Sequence, residues 1–163
     1  MTIILTSRRN ILRLSGLALT AGIVSCTTRS PLTPGTGEDE TAAALPLVNS
    51  LRSKSGLSPL ASDPAARAAA LYQAKRMADA GKMAHLMGFS DSFVTRVKAS
   101  GVRMPAAENI ASGQQSVDSV VQAWINSPHH LENMLGRYNG IGVAVAHNES
   151  SRNLPYWAMV LSG

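Results

Sequence analysis

From residue 42 onward the chain is organised by the recurrence of its apolar residues. Leu45, Val48 and Leu51 return every third position and predict a helix over residues 42–55, with Pro46 close enough to its start to fit the first turn. The stretch "SDPAARAAALYQAKRMADAGKM" predicts a longer helix. Asp63 can cap it, Pro64 suits its first position and Gly81 can close it in a left-handed turn. A short helix is expected over residues 92–99, closed by Gly101. Val117, Val120, Val121, Trp124 and Ile125 then share one face at 3.6-residue spacing. Ser127-Pro128 ends that helix and starts another, with Ser127 as N-cap and Pro128 in the first position. Two strand-like runs finish the chain, "GIGVAVAH" and "LPYWAMVLS", joined by the polar turn "NESSRN". Only "PAAENIASG" has no clear period, and it reads as a loop or a short extended piece. Helices first and an antiparallel hairpin last predict an α+β fold.

The first 25 residues do not belong to that pattern. Arg8, Arg9 and Arg13 precede an apolar, small-residue run over residues 14–24 that is too short to span a bilayer and reads as the core of a signal peptide. "SRRNIL" resembles a twin-arginine export motif. "IVSC" resembles a lipobox, which implies cleavage before Cys26 and a diacylglycerol on its sulfur. Residues 26–41 are then the lipidated Cys and a flexible Pro/Gly/Thr-rich tether, and residues 42–163 are one domain. Thr27 after the Cys directs the expectation to the periplasmic face of an outer membrane.

Charge and cysteine content narrow the function classes. The chain carries +5 at neutral pH, but removal of the signal leaves 12 basic and 10 acidic side chains with no basic stripe, so nucleic acid is not an expected partner. Cys26 is the only cysteine, so the domain holds no internal disulfide and, once lipid occupies that sulfur, no catalytic thiol.

The candidate chemistry lies in four histidines and one unusual acid. On the helix starting at Pro128, Leu131, Met134 and Leu135 define the expected buried stripe. At 100° per residue His130 falls on its border, whereas His129 falls on the water side near Glu132 and Asn133. His147 ends a strand at a turn. His85 stands among apolar neighbours in "KMAHLMGFS". Glu108 places a carboxylate inside an apolar run, where it must be paired or strongly hydrogen-bonded. His85, Glu108 and His130 are therefore the candidate set, with bracing of the Glu108 loop as the structural reading of the same residues.

Taken together, "AENIASG", "VVQAWINSPHHLENML", "YNGIGVAVA" and "YWAMVLSG" resemble the bacterial CAP domain, of the SCP/PR-1 or cysteine-rich secretory protein superfamily. The resemblance runs in order over residues 42–163. It implies an α-β-α sandwich with a surface cleft holding a His/Glu tetrad, and carries tetrad roles to His85, Glu108 and His130, with His129 in the place of the motif Gly. Trp124, Asn109 and Ser127 take structural places. Three departures stand out. Ser127 occupies the position of the second tetrad Glu, Leu131 that of the motif Arg, and the family's disulfides are absent.

Two imidazoles and a carboxylate form a His₂Glu set that suits Zn²⁺. The expected function is a membrane-anchored domain whose cleft binds an envelope glycan, peptide or lipid, with a divalent metal at His85, Glu108 and His130. The alternatives are a metal-assisted peptide or ester hydrolase, with Glu108 as ligand or general base, and a non-catalytic protein-interaction module with a purely structural His/Glu set. Ser90, Ser112 and Ser127 are the serines placed near the presumed cleft.

Overall fold

The computed structural model describes residues 35–163; the expected signal peptide, the lipid on Cys26 and the tether up to residue 34 lie outside the described residues. The elements are β1 (Thr36–Asp39), α1 (Thr41–Lys54), β2 (Ala61–Ser62), α2 (Pro64–Ala80), α3 (Phe93–Ala99), β3 (Ala106–Ser112), α4 (Val117–Ile125), α5 (Pro128–Met134), β4 (Gly140–His147) and β5 (Tyr156–Ser162), with a 3₁₀ turn at Glu149–Ser151. All five expected helices form. The Asp63 carboxylate caps α2 by accepting the Ala65 amide at 2.9 Å, and Gly81 ends it at φ 60°.

The strands make one sheet in the order β1-β4-β5-β3, antiparallel throughout except that the two-residue β2 runs parallel beside β4. Two parts of it differ from expectation. The tether predicted through residue 41 ends earlier, because Thr36–Asp39 pairs with the last half of β4, Thr36 lying opposite His147 and Asp39 opposite Ala144. Thr41 is buried and its hydroxyl accepts the Val143 amide at 2.9 Å. The folded structure thus includes residues 36–39, ahead of the start expected at residue 42. "TGED" has no apolar period because an edge strand held by backbone bonds can leave its side chains in water. "PAAENIASG" is also a strand: β3 pairs along its whole length with β5. Its period is absent because both its faces are covered, Ala107 to Ala111 all being buried.

The alternation of side chains on β4 and β5 divides the interior into two cores. Ile141, Val143, Val145, Trp157, Met159 and Leu161 face α1, α4 and α5, where Trp124 and Met134 complete the packing. Ala144, Ala146, Ala158 and Val160 face α2 and α3. That second layer is thin because α2 presents Ala66, Ala69, Ala70 and Ala74 to it. Gly142 sets the approach: a Cβ there would lie 2.2 Å from the Arg67 nitrogen and 2.3 Å from the Ala66 carbonyl carbon. The result is an α-β-α sandwich with β3 at one edge.

Candidate functional site

The site forms around the β3 edge, and strand alternation distributes its residues. Glu108 shares a face with Ile110, which packs in the α2–α3 core; the neighbouring Asn109 points to the α4–α5 side. On the first side, Arg96 of α3 donates through Nη2 to both Glu108 oxygens, at 2.6 and 2.8 Å. His85 Nδ1 lies 2.9 Å from Glu108 Oε1. Glu108 is nearly inaccessible, its side chain 2 % exposed, whereas the His85 side chain is 50 % exposed. The expectation that apolar neighbours would shield His85 is overturned, because Met83, Leu86 and Phe89 themselves stand in solvent.

A chain of alternating charges continues behind Glu108. Arg96 Nη1 lies 3.6 Å from Asp91 Oδ1, and Arg76 bonds the other Asp91 oxygen. The Arg76 bond is the main reason that the Asp91 carboxyl titrates below its ordinary range, with the Met87 amide adding to it. The same groups pin the loop after α2. Fully buried Gln73 donates to the Ala84 and His85 carbonyls at 2.8 and 3.3 Å, and Asp91 accepts the Met87 amide at 2.8 Å. The His85 backbone is thereby fixed from inside the protein.

His130 is held differently. Asn109 donates to the His130 carbonyl at 3.0 Å and accepts from Asn133 at 2.8 Å, so the start of α5 is tied to β3 through its backbone. Asn133, expected toward water, turns inward for this bond. His130 is half-buried and His129 exposed, as the helix geometry predicts. Of the expected stripe only Met134 is fully buried, while Leu131 and Leu135 are half-buried. Among the described residues no side chain hydrogen-bonds the His130 ring. Burial lowers its pKa, and the charges of His85 and His129 add to the effect.

His130, Ser127, Trp124, Ala123, Met83 and Ser112 line a cleft of about 250 Å³. Trp124 forms its floor and donates from Nε1 to the Ile110 carbonyl at 3.2 Å. Ser127 occupies the N-cap position of α5, but its side chain makes no capping bond. Ser112 Oγ lies 3.5 Å from the Met83 sulfur, and Ser90 lines a different groove beside Arg76 and Asp91. A groove of about 740 Å³ between α1 and α4 contains none of the three candidate residues.

The expected His₂Glu metal set does not fit this geometry. Both Glu108 oxygens face a guanidinium, so a divalent cation there would meet a like charge. Among the described residues no three His, Asp, Glu or Cys side chains converge on a point where a metal could sit. The same ion pair leaves Glu108 unsuited to act as a general base. Arg96, Gln73, Asp91 and Asn133 are the site residues that the pattern of the sequence did not single out.

Comparison with known proteins agrees with the fold. The model of the cysteine-rich secretory protein family (CAP) matches residues 45–161. The uncharacterized protein YkwD of Bacillus subtilis (strain 168) is 34% identical over 106 residues, covering 64% of this chain and 41% of YkwD. This chain thus spans about two fifths of that relative. Among solved structures, an outer surface protein from Borrelia burgdorferi superposes with a TM-score of 0.67 at 22% identity, over 78% of this chain and 97% of that one. An extracellular protein containing a SCP domain from Bacillus anthracis str. Ames gives 0.65 at 24% identity, over 74% of this chain and 39% of that one. At such identity these two likenesses speak for the fold alone.

Proposed function

Because the chain belongs to the cysteine-rich secretory protein family, we propose that it is a ligand-binding domain working outside the cytoplasm, tethered to the envelope through lipid on Cys26. The signal-like pattern of the first 25 residues supports the location, and two proteins of the same fold are described as an outer surface protein and an extracellular protein. One observation carries the binding role: an exposed imidazole, His85, is fixed by a buried carboxylate beside a cleft whose wall includes His130. A side chain held in one orientation by buried partners loses little freedom when it contacts a ligand. Trp124, Ala123 and Met83 give the cleft an apolar lining, with the His130 ring and the Ser127 hydroxyl as its polar points. An amphiphilic envelope component, lipid or glycopeptide, matches that combination.

A second reading has its own support. A carboxylate bonded to one ring nitrogen is how proteins orient metal-bound imidazoles, and Glu108 bonds His85 Nδ1. In this reading His85 Nε2 and His130 hold a divalent cation, with Glu108 as orienter and not ligand. The bound ion would supply Lewis acidity; the residues present supply its positioning.

Zn²⁺ titration calorimetry on the wild type and on a His85→Ala/His130→Ala variant tests the second reading, which expects heat lost in the variant and retained, with affinity about 10–100-fold weaker, in Glu108→Gln. NMR titration of the His85 and His130 rings with a chito-oligosaccharide, a tripeptide and a lysophospholipid tests the first. Shifts of both rings with one probe class are expected; unmoved rings with all three would overturn the cleft as the binding site.

A further inference from the structure

The loop joining α2 to α3 is built inside out. Met83 and Leu86 are 50 % and 51 % exposed and Phe89 is fully exposed, although Gln73 and Asp91 bond the loop backbone from within. The backbone bracing gives these apolar side chains a fixed outward presentation, and nothing among the described residues covers them. An exposed apolar cluster of this kind marks an interaction surface.

Its place in the fold indicates what covers it. The loop leaves the C-terminal end of α2, and the described chain enters at that same end: the Gly35 amide bonds Asp79, the penultimate residue of α2, at 3.3 Å. The turn between β4 and β5 reaches it too, with Ser151 against Gly81 and with exposed Arg152 and Leu154 lining a groove of about 480 Å³ beside Ala80 and Gly81. From Cys26 to Gly35 the chain can extend to about 30 Å at most. A lipid on Cys26 would therefore hold this end of α2 within about 30 Å of the bilayer, near enough for the loop to reach it. The exposed charges at this end are mixed, Lys82 and Arg152 standing with Asp79 and Glu149. Lys82, next to the apolar tip, can reach the headgroup level while the apolar side chains go deeper.

We infer that the 82–90 loop is a membrane seat: Met83, Leu86 and Phe89 enter the interface of the bilayer that carries the Cys26 lipid, with Lys82 and Arg152 at the level of its phosphates. His85 stands in this loop, so the seat brings the cleft to the membrane surface, where an amphiphilic ligand would be met. The inference rests on the lipid anchor proposed above.

The full chain, lipid-modified at Cys26 and reconstituted in phosphatidylglycerol/phosphatidylethanolamine vesicles, provides the test. Lipid blocks the native thiol, so Phe89→Cys can carry a single nitroxide; both Phe89 and the control position Ser62→Cys are exposed. Ser62 lies beyond the other end of α2, about 25 Å away along the helix. Oxygen and nickel-chelate accessibility should place the label at 89 roughly 5–10 Å into the interface, and the label at 62 in water. A label at 89 as aqueous as that at 62 on a lipidated chain would remove the seat and leave the anchor standing. A chain that carries no lipid would remove the anchor and the seat with it. Spin–spin broadening between labels at 89 would identify a second copy as the occupant and also overturn the proposal.

Discussion

The two histidines of the cleft are held by opposite means. His85 has an exposed ring fixed by side chains: Glu108 on its Nδ1, Arg96 on Glu108, and Asp91 and Arg76 behind them. His130 has a half-buried ring that no side chain among the described residues bonds, and it is placed through its own carbonyl by Asn109. The first arrangement specifies the direction of the ring, and the second specifies only position. A ligand would thus meet one oriented imidazole and one able to turn.

The largest break in that comparison should come from Arg96. Its side chain and that of Glu108 are both almost completely buried, so Arg96→Ala leaves a carboxylate with its main partner gone. Losing one member of a buried pair costs about 3–5 kcal/mol, which urea unfolding would report. Adding Glu108→Gln to Arg96→Ala should recover part of that loss, since it removes the stranded charge. If the double variant is no more stable than the single one, packing and not charge dominates. The other wall should respond less. Asn109→Ala removes two partly buried hydrogen bonds and leaves the His130 carbonyl without its side-chain donor, an expected cost of about 1–3 kcal/mol. NMR should show the His130 ring resonances displaced and those of His85 unchanged.

The difference between the walls also explains what could be read from the chain. The helix of His130 announced itself through Ser-Pro and a periodic stripe, so its face could be assigned by geometry. Glu108 announced that it needed a partner, because a carboxylate in an apolar run cannot stand alone. The partner was not legible: Arg96 lies 12 residues back on a short helix, where it reads as a solvated charge, and only the packing of α3 beside β3 brings the two together. The clue was its adjacency to Val97, on the buried side of that helix. His85 failed in the opposite direction. Apolar neighbours suggested shelter, but a loop bonded through its backbone can turn such side chains outward. β1 is absent from the sequence reading and β3 is left open there between a loop and an extended piece for one shared reason, since backbone pairing with a distant strand leaves no periodic trace in either an exposed edge or a doubly covered strand.

The smallest expected effect concerns the freely placed ring. Burial depresses the pKa of His130 in the folded protein, with His85 and His129 reinforcing the shift, relative to about 6.5 in the unfolded chain. Above the unfolded value the ring is neutral in both states and contributes no pH dependence. As pH falls below it, the unfolded chain takes up the proton first, so stability declines until the folded ring is protonated as well. Urea midpoints measured from about pH 7.5 down to about 5, a window that brackets the unfolded value, should therefore fall. The decline should be shallower in His130→Gln, which has no proton to bind. Equal slopes in wild type and His130→Gln would mean that the ring is as well solvated in the fold as outside it, and that its half-buried place beside the cleft costs it no hydration.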